Sequence, residues 1–544
     1  MPSPPSAPLK RSSISMGGMV ASAFGGATDA GVRMLAEGGN AADAAVAVGF
    51  ALGVCEPQAS GLGGQTVVLA HIDGQTFALD GSSRVPSLAH IERLERRREL
   101  RLGHRATTVP STPATLGWLH RRYGRLPWAE VLAPSIEIAR CGYAITPLQH
   151  RLQVRELPRF AKVDGQTGAR YFLKDGAEPF EPGDLFRQPE LADLFEHLAR
   201  NEIEAFYQGE VADQIDADMR VHDGFLRADD LALIPWPVVR QALRRRYRSV
   251  TLATMPPPGA GRVLLLVMMM LNRLHSSALR QISTANVHFF TESLRKAFLR
   301  RIDRPFDANT YAQIRNKTML SRRYAHALAD TIVDTVDPDL PTVDPVTDEI
   351  GETTHFSVMD AEGNALAVTQ SIELVFGSKA AADGLGFLYN NYLSALETEE
   401  PSHPYYLRPG AAPWSTAAPT IVFREGQPWL ALGSPGSERI FSSLAQVLCR
   451  IVDGSASLDR AIDAPRLHCT VGGRVSIEAA RFDREIVDHL ASSGYQVDEL
   501  DPYAFYLGCV QAVLRRQSGP GFQGAADPRR DGTAGGPDIA ATAL

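Results

Sequence analysis

The stretch "DTVDPDLPTVDPVTDEIGE", residues 334–352, divides this chain into two parts with different hydrophobic periods. It is rich in aspartate and proline and has no periodicity, which is typical of a loop. Before it, from about Thr107 to Asp330, apolar residues recur about every 3.6 positions and predict mainly helices. After it they alternate, as in "THFSVMD" and "NALAVTQSI" around the turn "AEGN", and predict β-hairpins. The chain is therefore expected to be a mixed α/β protein with a helix-rich first part and a hairpin-rich last part.

The segment that precedes this helical part predicts a strand, two helices and a hairpin. The first helix is expected at about residues 29–37, because the Gly38-Gly39 pair that follows adopts left-handed backbone easily. Asn40 is well suited to cap the second helix, which is rich in alanine and valine on nearly every face and is therefore expected to be buried. The hairpin is expected to turn at Asp73-Gly74.

Composition and charge argue against several classes of partner. The net charge of −7 and pI of about 6.1 give no general attraction to nucleic acid or to an anionic membrane. The five cysteines are scattered without a C-x-x-C pair, which argues against a zinc site and fits reduced thiols. Residues 1–15 are rich in proline and serine, predict a disordered start, and lack the apolar segment of a secretory signal. The apolar run 263–271 is too short to span a bilayer, so the expected location is the cytoplasm, without cofactor, nucleic-acid or membrane partners.

Two adjacent hydroxyl residues, Thr353 and Thr354, follow the acidic stretch directly. Threonine is common at the start of strands, and spacing alone favours that structural interpretation. A catalytic interpretation requires that an exposed loop ending at Glu352 be cut before Thr353. The new α-amine, with a pKa of roughly 7.7–8.0, would then lie within reach of the hydroxyl on the same residue and could take its proton.

Several long motifs in order resemble the gamma-glutamyltransferase (glutathione hydrolase) family of N-terminal nucleophile hydrolases. They are "EGGNAADAAVAVGFAL", "PQASGLGG", "MPPPGAG", "TTHFSVMDAEGNALAVT", "APTIVF", "GSPGSERI" and "ADPRRDGT". The resemblance implies a four-layer αββα sandwich and a proenzyme that cleaves itself between Glu352 and Thr353. It would give a large subunit, residues 16–352, and a small subunit, residues 353–544, of 544 − 352 = 192 residues. The two chains would form a heterodimer, and the resemblance leaves a further dimer of these open.

The same resemblance assigns the reaction to a few positions. Thr353 would be the nucleophile for self-cleavage and for turnover through an acyl-enzyme, and Ser371 stands where the family usually has a supporting threonine. Gly436 and Ser437 match the turn whose N–H groups form the oxyanion hole, with serine replacing a second glycine. His355 lies beside the nucleophile but is expected to be structural rather than a base.

The substrate clamp departs from the family pattern. Ser82 occupies the position of an arginine for the substrate α-carboxylate, and Arg84 comes two residues late. Ala395 occupies the position of an aspartate for the α-ammonium. The remaining positions of the predicted acyl pocket are Glu373, which replaces an asparagine, Tyr392, which replaces a polar contact, and the paired hydroxyls Ser415 and Thr416.

An amide hydrolase or acyltransferase with an acyl specificity other than standard gamma-glutamyl is therefore expected. One alternative keeps gamma-glutamyl substrates, with Arg84 and Glu373 taking over the two charge contacts. A carbon–carbon bond hydrolase and a non-catalytic scaffold are further alternatives. The identity of the acyl group is not set by the sequence.

Overall fold

The structure is a computed structural model that describes residues 10–94, 97–303, 305, 318–336 and 351–537. Most of the predicted acidic loop, residues 337–350, lies outside the described residues. The loop prediction is wrong at its end, because the strand that contains Thr353 already begins at Gly351. The predicted disorder of residues 1–15 is wrong for Ser12–Ser15, which pair with a strand near the C-terminus.

The described residues contain nineteen strands. They are β1 (Ser12–Ser15), β2 (Gly18–Ser22), β3 (Gln65–Ile72), β4 (Gln75–Gly81), β5 (Tyr143–Ala144), β6 (Leu185–Phe186), β7 (Val238–Arg240), β8 (Leu243–Tyr247), β9 (Val250–Thr254), β10 (Gly351–Asp360), β11 (Ala365–Leu374), β12 (Thr420–Arg424), β13 (Gln427–Gly433), β14 (Leu467–Cys469), β15 (Arg474–Ile477), β16 (Gln496–Glu499), β17 (Gln511–Arg515), β18 (Phe522–Ala526) and β19 (Thr533–Gly535).

Fifteen α-helices accompany them in the described residues. They are α1 (Gly25–Ala36), α2 (Ala41–Cys55), α3 (Thr112–Tyr123), α4 (Trp128–Cys141), α5 (Pro147–Phe160), α6 (Thr167–Phe172), α7 (Pro189–Asn201), α8 (Glu210–Val221), α9 (Ala228–Ala232), α10 (Gly261–Leu271), α11 (Val287–Asp303), α12 (Arg322–Ala329), α13 (Arg439–Val452), α14 (Leu458–Asp463) and α15 (Arg484–Ser492). None of these helices has both the length and the apolar character needed to cross a membrane.

Two seven-stranded antiparallel sheets form the centre of the fold. The strand order is β1-β18-β17-β13-β12-β9-β8 in the first sheet and β19-β2-β10-β11-β3-β4-β7 in the second. Each sheet combines strands from both sides of the Glu352–Thr353 bond. The two parts of the chain are therefore joined by backbone hydrogen bonds within both sheets, independently of that bond.

The sheets lie face to face between two helical layers, which confirms the predicted αββα sandwich. One apolar cluster joins α1, α2 and neighbouring helices to the second sheet, and another joins α10, α11 and α13 to the first. A third cluster between the sheets consists mainly of small or flexible side chains, such as Ala367, Ala431 and Met19. Small residues let the two sheets approach closely, and close packing of this layer excludes water from the strands within it.

The predicted hairpins and buried helices are present with small shifts of their ends. The turn at Asp73-Gly74 joins β3 to β4, and the apolar run 263–271 lies in the buried helix α10. Helix α1 begins four residues earlier than expected, at Gly25. It packs tightly on α2, since a Cβ added to Gly31 would lie 2.5 Å from Val48 Cγ2.

Strands β7, β8 and β9 were not predicted, because this region was expected to be mainly helical. In β8 the ends Leu243 and Tyr247 are buried, while Arg244 and Arg246 are exposed. Three consecutive arginines hide this alternation in the sequence. Their long basic side chains can reach solvent from either face of the strand, so no apolar residue marks the inner face between the two ends.

Asn40 caps α2 as predicted, and its contribution can be measured. Its Oδ1 accepts hydrogen bonds from the N–H groups of Ala42 (2.8 Å) and Asp43 (3.2 Å), and its Nδ2 donates to Tyr123 O (2.7 Å). We expect Asn40→Ala to lower the free energy of unfolding by about 1–2 kcal/mol, measured by urea denaturation. Ser457→Ala is the matched control, because Ser457 precedes α14 without a side-chain capping bond. An equal loss in both variants would contradict this role of the Asn40 cap.

Candidate active site

Thr353 lies at a β-bulge between β10 and β11. Glu352 pairs with Glu373, whereas Thr354 pairs with Gln370, so β11 has one more residue than β10 between these pairs. A bulge twists the strand locally and redirects side chains. Thr353 is thereby placed opposite Ser371 near the end of the hairpin, with 8% of its surface exposed.

A chain of hydrogen bonds joins the Thr353 hydroxyl to the preceding peptide bond. Thr353 Oγ1 donates to Ser371 Oγ at 3.2 Å, and Ser371 Oγ donates to Glu352 O at 2.7 Å. The Ser371 oxygen also accepts from the N–H of Glu373 at 2.9 Å. Ser371 is therefore held in one orientation by three partners, and its proton points at the carbonyl of the Glu352–Thr353 bond.

Arg530 fixes the start of β10 from the far end of the chain. Its Nη1 donates to Thr353 O at 2.9 Å, forms an ion pair with Glu352, and lies 3.5 Å from Glu56 Oε1. All three charged residues are buried. Burial raises the pKa of Glu56 to about 7 and raises that of Glu352, although Arg530 opposes both shifts. One guanidinium thus faces two carboxyl groups. Partial protonation of Glu56 near neutral pH reduces the repulsion between Glu56 and Glu352.

The burial of Glu352 corrects the expectation of an exposed cleavage loop. Its exposed fraction is 0%, and the bond after it lies inside a strand of the second sheet. An external protease would have no access to a bond in this position. Sequence analysis missed Arg530 and Glu56 because they lie 178 and 296 positions from Glu352.

The turn after β13 lies against the residue that precedes Glu352. A Cβ added to Gly351 would be 3.0 Å from Ser437 Cβ. Gly436 has φ 117° and Ser437 has φ 50°, so the serine occupies the left-handed region, which tolerates a Cβ at modest cost. Within the described residues, the N–H groups of Gly436 and Ser437 have no hydrogen-bond acceptor. Two neighbouring donors are therefore available beside the Glu352–Thr353 segment.

His355 is a structural residue, as predicted. The ring is buried, with Nδ1 2.9 Å from Thr369 Oγ1 and Nε2 3.1 Å from Ser357 Oγ. Burial lowers its pKa to about 3, so the imidazole is neutral at physiological pH. Both ring nitrogens are occupied, which leaves neither available as a base for Thr353.

A recess of about 300 Å³ opens beside Thr353. It contains the predicted residues Ser371, Glu373, Tyr392, Ser415 and Thr416 together with the threonine. The sequence analysis did not identify the other lining residues, which are Gln65, Val67, Thr369 and Ala417. Gln65 and Thr369 could have been found from the pairing of β3 and β11, which places Gln65 opposite Ser371.

Among the described residues that line this recess, Glu373 is the only charged one. Burial raises its pKa to about 7. Its φ of 81° is also unusual for a residue with a side chain and marks a strained backbone position at the end of the bulge. The recess therefore offers a titratable carboxyl group, hydroxyls and an amide to a ligand, and its lining provides no cation.

Ser82 and Arg84 do not line the recess. Ser82 is buried, and its N–H and hydroxyl both donate to Asp80 Oδ1, at 3.1 and 2.6 Å. Asp80 in turn forms an ion pair with Arg240 (2.7 Å). The Arg84 guanidinium donates to the carbonyls of Ser82 and Ser83 in its own loop. The structure thus groups five of the predicted residues with Thr353 in the recess and leaves these two outside.

Comparison with known proteins gives relatives of two kinds. Residues 27–536 match the family model described as gamma-glutamyltranspeptidase. The glutathione hydrolase proenzyme of Escherichia coli (strain K12) is 30% identical over 542 residues, which cover 94% of this chain and 90% of that protein. The acylase ACY 1 proenzyme of Pseudomonas sp. (strain SE83) is 30% identical over 534 residues, which cover 95% of this chain and 93% of that protein.

A solved structure agrees over the whole length. The crystal structure of cephalosporin acylase from Bacillus halodurans has a TM-score of 0.88 at 27% identity, and the match covers 99% of both chains. The two sequence relatives are equally identical to this chain, at 30%, but their names give different activities. Identity alone therefore does not distinguish between their acyl groups for this chain.

The burial of Glu373 predicts a pH-dependent cost to stability. A carboxyl whose pKa is raised on folding is protonated in the folded state at pH values where the unfolded state has lost its proton. Stability therefore falls as pH rises from about 4.5 to about 7, and the full cost remains above that range. We expect Glu373→Gln to remove this cost, so that the variant gains about 2–3 kcal/mol over the parent protein between pH 5 and pH 8.

The measurement is the difference in unfolding free energy between the two proteins as a function of pH. Both share Glu56, whose titration cancels in the difference. Glu425→Gln is the matched control, since Glu425 also has a positive φ, of 51°, but is exposed. A pH-independent difference for Glu373→Gln would contradict the raised pKa.

Proposed function

This chain belongs to the gamma-glutamyltranspeptidase family, and from that premise we propose that it is a self-cleaving amide hydrolase or acyltransferase with Thr353 as its nucleophile. We further propose that its acyl group differs from standard gamma-glutamyl. The observation that carries the first proposal is the hydrogen-bond chain from the Thr353 hydroxyl through Ser371 to the Glu352 carbonyl. The observation that carries the second is that no cationic side chain occurs among the described residues that line the recess beside Thr353.

Self-cleavage would proceed by transfer of an acyl group from nitrogen to oxygen. Thr353 Oγ1 attacks the Glu352 carbonyl carbon, the C–N bond breaks, and the hydroxyl proton is transferred to the departing nitrogen. Water then hydrolyses the resulting ester, which leaves a carboxylate on Glu352 and a free α-amine on Thr353. The hydrogen bond from Ser371 polarises the carbonyl for this attack, and Arg530 holds the residues on both sides of it.

Turnover would use the same hydroxyl with the new amine as its base. The α-amine of a chain terminus has a pKa of roughly 7.7–8.0, so roughly 10–17% of it is unprotonated and able to act as a base at pH 7. The hydroxyl attacks a substrate amide, the amine passes its proton to the leaving nitrogen, and water or another amine releases the acyl group. The available N–H groups of Gly436 and Ser437 support an oxyanion hole at this position, and one such donor typically contributes about 2.7–4 kcal/mol to the transition state.

The acyl specificity follows from the charges around the recess. A gamma-glutamyl group has both a carboxylate and an ammonium at its far end, and each charge-assisted hydrogen bond to it is worth about 1.5–3 kcal/mol. Glu373 can accept the ammonium, but none of the described residues of the lining carries a positive charge to pair with the carboxylate. Arg84 was the candidate cation of the alternative that keeps gamma-glutamyl substrates, and its guanidinium is directed to its own loop. The recess thus favours acyl groups without a carboxylate at that end.

Cleavage at Thr353 predicts two chains, of 352 and 192 residues, on a denaturing gel of the purified protein. We expect Thr353→Ala to remain a single chain, because it has no hydroxyl to attack the Glu352 carbonyl. Thr353→Ser is the matched control and should still cleave, since it retains the hydroxyl. N-terminal sequencing of the smaller chain should begin Thr-Thr-His-Phe. An intact parent protein would support the scaffold alternative, and cleavage of Thr353→Ala would contradict the proposed nucleophile.

Four p-nitroanilides test the acyl group, namely gamma-glutamyl, glutaryl, 4-aminobutyryl and butyryl, which differ mainly in the ammonium and carboxylate. We expect kcat/KM for 4-aminobutyryl to exceed that for gamma-glutamyl by about tenfold, because Glu373 attracts the ammonium and nothing in the lining compensates the carboxylate. Glutaryl should be the poorest substrate above pH 7, where Glu373 is ionised.

Glu373→Gln is the control for this series. It should lower the rate for 4-aminobutyryl and raise the rate for glutaryl, while leaving the uncharged butyryl substrate unchanged. A preference for gamma-glutamyl over 4-aminobutyryl of 100-fold or more in the parent protein would contradict the proposed specificity and support the glutathione hydrolase alternative.

A further inference from the structure

Three side chains from separate segments converge at a buried position outside the recess. His104 lies in a short turn before α3, Asp218 lies in the last turn of α8, and His222 follows that helix directly. The donor atoms of the three residues all lie within 4.8 Å of one another. The sequence analysis found no metal motif, because His104 is more than a hundred positions from the other two.

The spacing of these donors suits a first-row transition metal. His104 Nε2 is 3.3 Å from Asp218 Oδ2, and His222 Nε2 is 3.7 Å from Asp218 Oδ1. Tetrahedral Zn²⁺, with bonds of about 2.0–2.1 Å, places its ligand atoms about 3.4 Å apart. The two imidazole rings are stacked, with centroids 4.2 Å apart and planes at 9°, so one ring would rotate out of the stack when both bind the same ion. Two imidazoles and one carboxylate form a ligand set typical of Zn²⁺ with one position left for water.

A buried nitrogen without a hydrogen bond points to the same conclusion. His104 is only 3% exposed, and its Nε2 has no hydrogen-bond partner among the described residues, because its alignment with Asp218 is poor. Leaving such a group unpaired costs about 1–3 kcal/mol. The nearest acceptor, Asp218 Oδ2, lies 3.3 Å away without hydrogen-bond alignment and accepts from the Tyr389 hydroxyl at 2.8 Å. A metal ion would take the lone pair of His104 and remove this cost.

The surroundings fit a bound cation. The carboxylates of Asp164 and Asp383 are close enough to His222 to act on it electrostatically. Tyr389 supplies the outer hydrogen bond that commonly orients a metal-ligating carboxylate.

We propose that His104, Asp218 and His222 form a binding site for a divalent transition metal of the Zn²⁺ class. The ion would join the turn at His104 to the end of α8. Through Tyr389 it would also be connected to the segment that leads, three residues later, to Tyr392 in the recess. The site stabilises this part of the fold, and its occupancy does not depend on cleavage at Thr353.

The test uses full-length protein without an affinity tag, freed of metal with a chelator and titrated with Zn²⁺ by calorimetry. We expect one Zn²⁺ per chain and a higher melting temperature with the ion. His222→Gln, at a partly exposed position, should weaken Zn²⁺ binding at least about 100-fold, because it removes a ligand. Tyr389→Phe should weaken Zn²⁺ binding about tenfold, because it removes the outer hydrogen bond to Asp218. His120→Gln is the matched control and should bind as the parent does, since His120 lies 3.8 Å from buried Asp43 without a second imidazole.

Co²⁺ provides a readout that does not depend on the variants. Bound by two imidazoles and a carboxylate, it should give the intense visible absorption of a four-coordinate site in the parent protein, and Zn²⁺ should displace it. Absence of that absorption together with absence of saturable Zn²⁺ binding would overturn the proposal, as would parent-like Zn²⁺ affinity in His222→Gln.

Discussion

The guanidinium of Arg530 is the interaction on which the geometry around Thr353 depends. It reaches the start of β10 from the C-terminal region and contacts Glu56, Glu352 and the Thr353 carbonyl. Removing one partner from a buried ion pair typically costs about 3–5 kcal/mol, because the remaining charge is left without compensation. Here the loss of the arginine would leave two buried carboxyl groups facing each other beside the bond that is proposed to break. The position of Thr353 is therefore set by a long-range electrostatic contact as much as by the pairing of β10 with its neighbours.

The αββα architecture explains why such a contact can be maintained in the interior. Strand β10 lies between β2 and β11 in the second sheet, and the cluster of small side chains between the sheets packs against one of its faces. Both sheets contain strands from either side of the Glu352–Thr353 bond, so breaking that bond would release a terminus without separating the sheets. A protein that cuts its own backbone inside a strand needs such pairing between the two parts of the chain. Without it, cleavage would separate the two parts and open the core.

Local sequence patterns predicted the secondary-structure elements, but they could not predict the contacts between residues that are far apart in the sequence. Alternation around "AEGN" indicates that β10 and β11 pair, and this pairing alone brings Thr353 near Ser371. Asn40 before an alanine-rich segment likewise predicts the cap of α2. By contrast, Arg530 and Glu56 meet Glu352 only through the packing of α2 and of the segment before β19 near the start of β10, which short-range periodicity does not encode. Strand β8 was missed for a local reason. Its consecutive arginines obscure the burial of Leu243 and Tyr247 at the two ends of the strand. Family resemblance supplied the αββα layers that neither kind of pattern gives.

The separation of reaction residues from acyl-binding residues explains how one set can be kept while the other changes. Thr353 and Ser371 are held by the bulge between two paired strands, where a change of side chain disturbs the hydrogen bonds of the sheet. Position 82, where the resemblance would place a substrate-binding arginine, lies instead in the loop after β4, and Ser82 belongs to a closed network in which Asp80 accepts from Ser82 and pairs with Arg240. Asp80 is thus fully used, and an arginine returned to position 82 would have to displace Arg240 or remain unpaired. Under the proposed function, the loss of a carboxylate contact would be favoured by these surrounding charges, and Glu373 would remain in the recess to select the acyl group.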